Sequence, residues 1–349
     1  MINNLNERQI QLLLHMRNNA HVSFSILYSQ IKRVYSVSEI TLKRDISELV
    51  KLGYLKLNGK ARTTTYDITS YGLMNTPINS MEYVSKDPDE RGGYSKYNFS
   101  LLSQINFEIF SFEEIDSFNR QSIQYTERQK IATQTIRNKE LERFIIEFSW
   151  KSSAIEGNTY NLLDTEKLIK EKINAEGKSV YETTMILNHK KTFDYILKNN
   201  FNKITTQTII QIHELLTQDM SIVRGIRKSL VGITSSTYTP LHNEFQIKEA
   251  LEDLCNAIEK QTDIRSKALL AIIGISYIQP FEDGNKRTAR MIGNLLLVKN
   301  NLPPLSYRST PVEEYRASVL SFYELNSLVP FKKIFTEQYN FSANNYTVK

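Results

Sequence analysis

The chain has 349 residues, 40% of them hydrophobic and 23% charged, a balance that excludes disorder throughout and allows two or three domains with proper cores. Its formal charge is +6, and the longest apolar run, residues 268–275, is far shorter than the roughly 20 residues a membrane-crossing helix needs. A single cysteine, Cys255, excludes an internal disulfide and a cysteine-based zinc cluster; with no basic-then-apolar leader, a soluble, cytoplasmic protein without a membrane partner is expected.

The charge is uneven, because residues 1–75 carry ten Lys and Arg against five Asp and Glu. In that segment Ile10, Leu13, Leu14 and Met16 predict one helix, and Ile26, Leu27 and Ile31 a second. A third is capped by Ser38 or Thr41, buries Leu42, Ile46, Leu49, Val50 and Leu52, and ends at Gly53. Residues 54–57 and 62–68 then flank Asn58-Gly59, the composition of a tight hairpin turn. Three helices and a hairpin predict a winged helix. The run ITLKRDISELVKLGYL resembles the recognition helix of bacterial winged helix-turn-helix repressors of the DeoR type. DNA is then the expected partner, with Lys43 and Arg44 entering a major groove, Thr41 and Ser47 in reach of phosphates or base edges, and Lys60 and Arg62 on the wing. The same basic face would also serve a fold that makes only protein contacts. Residues 76–125 read as a connector, punctuated by Pro77, Pro88 and Gly92-Gly93 yet aromatic enough to pack on a neighbour.

From Glu127 onward the apolar spacing is helical, over 162–173, 180–199, 205–217, 246–260, 264–278, 287–299 and 312–326, which predicts an all-α domain over 126–345. Residues 223–238, with Gly225, Gly232 and β-branched Val231 and Ile233, predict a short β-hairpin. The most informative string is QPFEDGNKRTAR, residues 279–290. Pro280 stops one helix and a second begins near Asn285, so Gly284-Asn285 leads into a helix N-terminus, a ready anion site. Arg287 and Arg290, three apart, can each grip phosphate oxygens bidentately, and Asp283 offers a hard oxygen for Mg²⁺ bridged by phosphates. Phe281 reads as the apolar anchor of the loop. Taken singly, these residues would also make a helix cap, a solvated face and a turn.

Together they resemble the signature of the Fic family, HPFx(D/E)GNGRxxR, with Gln279 at the histidine and Lys286 at the second glycine. The resemblance implies a helical Fic domain with a small hairpin flap over 223–238, where Arg224, Gly225, Arg227, Val231 and Gly232 echo the family loosely. It implies ATP with Mg²⁺, and transfer of AMP to a Ser, Thr or Tyr hydroxyl of another protein. The catalytic positions become Gln279, Asn285 and Arg287, nucleotide binding falls to Gly284, Asn285, Lys286, Arg287 and Arg290, and the metal to Asp283. In the family the histidine takes the hydroxyl proton; an amide has no such affinity, so Gln279 is expected to orient a hydroxyl without deprotonating it. Lys286 is expected to intrude on the phosphate space. In the related Doc branch an Asn-Lys-Arg string accompanies phosphate transfer instead, but with the histidine kept. Of the other histidines, His189 and His213 read as structural and His242 as the one candidate replacement base.

Residues 152–157 match the (S/T)xxxE(G/N) motif of the self-inhibitory helix of many Fic proteins, which implies that Glu156 pairs with Arg290, supported by Ser152 and Gly157. The alternative is a helix end at Glu156-Gly157 with no partner. Two functions fit the sequence. One is an AMP-transferring enzyme, slow or altered through Gln279 and restrained by Glu156; the other is a DNA-binding regulator whose silent Fic domain senses a nucleotide or partner.

Overall fold

The computed structural model describes residues 5–60 and 63–346. They form two compact units, one from the N-terminus to Phe107 with 233–239 and 317–331, the other from 108–232, 240–316 and the stretch after Lys332. Each unit is built from more than one stretch of the chain.

The first unit begins with α1 (Glu7–Met16), whose Asn6 and Gln9 cap its first turn reciprocally. β1 (Val22–Ser23), α2 (Phe24–Lys32) and α3 (Glu39–Lys51) follow. Ser38 caps α3, accepting from Thr41 N at 3.2 Å. Leu12, Leu13, Met16, Leu27, Ile31, Leu42, Ile46 and Leu49 build its core, as the helical spacing requires. β2 (Leu55–Asn58) and β3 (Thr65–Ile68) pair antiparallel, and β1 adds on the far side of β3 to give the order β1-β3-β2. The tight Asn-Gly turn is not formed: Asn58 pairs with Thr65 inside the ladder. Asn58 is held in the strand by its side chain, whose Nδ2 donates to Asp67 Oδ2 at 2.8 Å. A short helix, α4 (Ser70–Asn75), follows β3, and α5 (Ser80–Val84) and α6 (Phe99–Ser103) lie in the stretch read as connector.

The second unit opens with α7 (Phe112–Ile131), capped reciprocally by Ser111 and Glu114. This helix begins well before Glu127; Phe118 is its one fully buried residue, so its apolar period is too weak to announce it. Then come α8 (Gln134–Ile155), α9 (Leu162–Glu171), α10 (Val180–Lys198), α11 (Thr206–Leu216), α12 (Glu244–Lys260), α13 (Ile264–Ile278) and α14 (Asn285–Lys299). α15 (Val312–Leu325) and α16 (Val329–Asn345) close the chain. From Arg265 to Ile278 every residue of α13 but Lys267 is buried, so the loop that follows it stands on a fixed base. Among the described residues no helix is long and apolar enough to cross a membrane.

The flap hairpin is absent. Residues 223–238 contain no strand; Thr239 alone makes a single parallel bridge, to Lys96, within the first unit. The β-branched residues lack a partner strand, and backbone groups go elsewhere: Arg227 N donates to Pro280 O at 3.0 Å and Ser236 N to Ile233 O at 3.2 Å. An isolated two-stranded ribbon would be marginal in water, whereas these bonds tie the segment to an existing body.

Candidate active site

α13 ends on Gln279, which adopts the left-handed conformation (φ 52°, ψ 58°) while its N–H still bonds Ile275 O at 3.1 Å. A buried guanidinium holds the turn from outside. Arg227 Nε donates to Gln279 O at 2.7 Å, Nη1 to Ser229 O at 2.8 Å and Nη2 to Leu241 O. Inside the loop, Asn285 is the hub: its Oδ1 accepts from Phe281 N at 2.9 Å, and its Nδ2 donates to Phe281 O at 2.8 Å and Gln279 Oε1 at 2.9 Å. Gln279 Nε2 donates in turn to Ser276 O at 2.7 Å. The Gln279 amide is thus bonded at both ends, to Asn285 on one side and to the last turn of α13 on the other.

Phe281 is the anchor the sequence suggested, fully buried and stacked on His213 with ring centroids 3.7 Å apart. His213 Nε2 donates to Asp283 O at 3.0 Å, and burial pulls its pKa down to about 4, so the ring is neutral. Gly284 has φ 79°, and a Cβ there would sit 3.1 Å from Thr217 Cγ2, so glycine answers both the backbone sign and the space before α14. Asp283 is half exposed; its Oδ1 accepts from Gly284 N, and its Oδ2 from Tyr181 Oη at 2.8 Å and Arg287 Nη2 at 3.1 Å. The Arg287 guanidinium is buried, with Nη1 3.6 Å from Met220 Sδ and Nε without a partner among the described residues.

One turn on, Arg290 is wholly buried and reaches toward α8. Its Nη2 donates to Glu156 Oε1 and to Ser152 O, both at 2.8 Å, its Nε to Ser152 Oγ at 2.9 Å, and its Nη1 to Tyr315 Oη at 3.2 Å. His189 Nδ1 lies 2.9 Å from Met185 O, so that nitrogen carries the proton, and Nε2, 3.0 Å away, accepts from the Ser152 hydroxyl. Burial lowers the His189 pKa to about 3, which keeps this arrangement and leaves the Ser152 lone pairs facing Arg290. Lys286 Nζ donates to the other oxygen of the same carboxylate, Glu156 Oε2, at 2.7 Å. Burial alone would raise the Glu156 pKa, but Arg290 and then Lys286 hold it down to about 2. Glu156 stands at a helix end, followed by Gly157 at φ 94°, but it is a paired group, so the unpartnered helix end is not what forms.

A profile of the Fic/DOC family matches residues 203–297. This segment is a Fic/DOC domain. It runs from α11 to α14 and contains the loop, Arg227, Arg287 and Arg290, while Glu156 and Tyr315 reach the same site from outside the matched residues. The chain is 24% identical over 207 residues to the protein adenylyltransferase fic-1 of Caenorhabditis elegans, covering 57% of this chain and 40% of that protein. It is 29% identical over 177 residues to the protein adenylyltransferase Fic of Nematostella vectensis, covering 48% and 40%. The chain thus spans about 40% of the length of these relatives. In fold it is similar to a solved C. elegans Fic-1 fragment, TM-score 0.55 at 19% identity with 99% of each chain covered. It is also similar to a Fic-domain signalling protein of Bacteroides thetaiotaomicron, TM-score 0.54 at 19% identity, covering 66% of this chain and 94% of that one.

His242 is solvent-exposed, and among the described residues no contact joins it to the Fic/DOC loop. Tyr181, His189 and Tyr315 were not anticipated as site residues: the first two arrive from α10 and the third from α15, and no sequence spacing connects them to 279–290. In the first unit Lys43, Arg44, Ser47 and Lys60 are exposed, whereas Thr41 is half-buried with its hydroxyl 3.0 Å from Ser38 Oγ. Arg62 lies outside the described residues.

Proposed function

We propose that the chain is a nucleotide-binding protein of adenylyltransferase type, restrained by Glu156 and slow in transfer because Gln279 replaces the proton acceptor. The observation that carries this is the buried Arg290, bonded to Glu156, Ser152 and Tyr315 beside the Gly284–Asn285 turn. In this reading the α14 N-terminus and Arg287, whose Nε has no partner among the described residues, take the inner phosphates of ATP. Arg290 takes the outermost one once Glu156 withdraws. Asp283 fits a Mg²⁺ ion: it is half exposed, and its Oδ1 accepts one hydrogen bond, leaving a lone pair. No cluster of three His, Cys, Asp or Glu among the described residues could hold a metal alone, which suits a cation that arrives with phosphates. When bound, that ion would neutralise phosphate charge. The acceptor would be a hydroxyl of a protein not identified by this chain, and a cytoplasmic setting, expected from the lone Cys255, belongs to the same proposal.

Glu156→Gly is the direct test. Calorimetry with Mg-ATP is expected to show affinity at least about tenfold above the parent, since two charge-assisted bonds become available to phosphate. A Glu156→Gly protein that takes up neither ATP nor ADP sinks the reading.

A second reading assigns residues 1–75 to a winged helix that binds DNA, with the Fic/DOC domain as a silent sensor. It is favoured by the exposed face of α3: Ile40, Lys43, Arg44, Ser47 and Lys51 fall within about 100° of helix circumference, with Glu39 and Glu48 only at its margins. Gel-shift titration at several salt concentrations is expected to show a log-log slope that flattens by about 2 in a Lys43→Ala, Arg44→Ala protein. Binding without salt dependence would exclude this role.

A further inference from the structure

The family signature has glycine where this chain has Lys286, and the lysine is not a neutral replacement. Lys286 is the second residue of α14 and Arg290 stands four residues on, so both side chains leave one face of the helix a turn apart. They converge on one carboxylate. Lys286 Nζ lies 2.7 Å from Glu156 Oε2 and Arg290 Nη2 lies 2.8 Å from Oε1, so each oxygen has its own cation. Among the described residues neither cation has another acidic partner, because Asp283 is paired with Arg287 and Tyr181. Arg290 has no exposed surface and the Lys286 side chain is only 32% exposed, so withdrawing Glu156 would leave two cations facing one small, poorly hydrated space. The anion that fits is compact, carries at least two terminal oxygens, and reaches the site from the direction of the α14 N-terminus. A terminal phosphoryl group has this form.

We propose that Lys286 and Arg290 together form the subsite for the terminal phosphate of a nucleoside triphosphate, with the Glu156 carboxylate as its internal occupant. Lys286 is then the residue that makes the site favour a triphosphate over a diphosphate, and it also gives the inhibitory carboxylate a second grip. A diphosphate would end short of the pair and gain little from it. The inference rests on the nucleotide reading above and adds to it the role of one residue.

The test is calorimetry of Mg-ATP and Mg-ADP on full-length Glu156→Gly, alone and combined with Lys286→Met, Lys286→Gln or Lys286→Arg. Glu156→Gly is expected to bind ATP about tenfold more tightly than ADP. Adding Lys286→Met or Lys286→Gln is expected to cost ATP roughly tenfold and ADP less than about twofold, whereas Lys286→Arg keeps the preference. Melting curves matching that of Glu156→Gly show that the double variants are folded. If Lys286→Met and Lys286→Gln lower ATP and ADP affinity alike, or change neither, the subsite assignment is wrong while the nucleotide site stands. If Glu156→Gly binds no nucleotide, both fail together.

Discussion

In the Glu156→Gly protein, Gln279→His is expected to raise transfer of label from α-labelled ATP onto protein hydroxyls by about 10² to 10⁴ over Glu156→Gly alone. That range is what a positioned general base contributes. The backbone at 279 does not depend on the side chain: its N–H bonds Ile275 O and its carbonyl is held by Arg227 Nε, so an imidazole would be presented from the same left-handed turn. Losing the amide costs its bond to Ser276 O and the bond it accepts from Asn285, which keeps its two contacts with Phe281. A ring with an ordinary pKa near 6.5 then supplies the proton affinity that an amide lacks. With Glu156 intact the same substitution is expected to do little, because Arg290 and Lys286 remain engaged. Running the assay with γ-labelled ATP in parallel separates AMP transfer from the phosphate transfer that the Asn285-Lys286-Arg287 string suggests. If the double variant labels no more than Glu156→Gly, the missing base is not what limits this site.

The residues that make the scaffold were legible because their signals are local. Asp263 caps α13 and Pro280 follows its end, so the predicted span 264–278 is the observed one, and the loop between two apolar helices could be placed without any tertiary information. The same holds for α3, where one apolar stripe and Ser38 suffice. What was not legible depends on partners far along the chain. Spacing puts Lys286 and Arg290 on one helix face but cannot say that Glu156, 130 residues earlier, waits there for both. Nor can it say that the Gln279 amide turns inward to Asn285, since a polar side chain in a loop has no periodicity to read. The histidines read as structural are indeed buried and neutral, yet each does more than fill space: His189 orients the Ser152 hydroxyl and His213 stacks under Phe281. The expected flap hairpin failed for the opposite reason. Val231 and Ile233 have β propensity, but propensity needs a partner strand, and this segment found bonds to the 279–280 turn instead.

Those bonds make Arg227 the second residue whose loss should be felt strongly. Its side chain is 1% exposed and donates to three main-chain carbonyls, those of Gln279, Ser229 and Leu241, joining the strandless 223–232 stretch, the start of the next segment and the active loop. Arg227→Met preserves the aliphatic stem and removes every donor. Each charge-assisted bond is worth about 1.5–3 kcal/mol and each orphaned buried carbonyl costs about 1–3 kcal/mol, partly recovered where water can enter, so a loss on the order of 4 kcal/mol is expected. For a domain of this size that lowers the melting midpoint by roughly 10 °C. Thermolysin, which cuts before apolar residues such as Leu230, Val231 and Ile233, is expected to cleave this segment at least about tenfold faster under native conditions, since the bonds that close it are gone. In the Glu156→Gly background Arg227→Met should also weaken ATP binding, because Gln279 O loses the contact that fixes where the loop begins. A midpoint unchanged to within about 2 °C, with thermolysin cleavage no faster, would mean that the guanidinium does not hold this segment and that the loop is positioned by Asn285 and Phe281 alone.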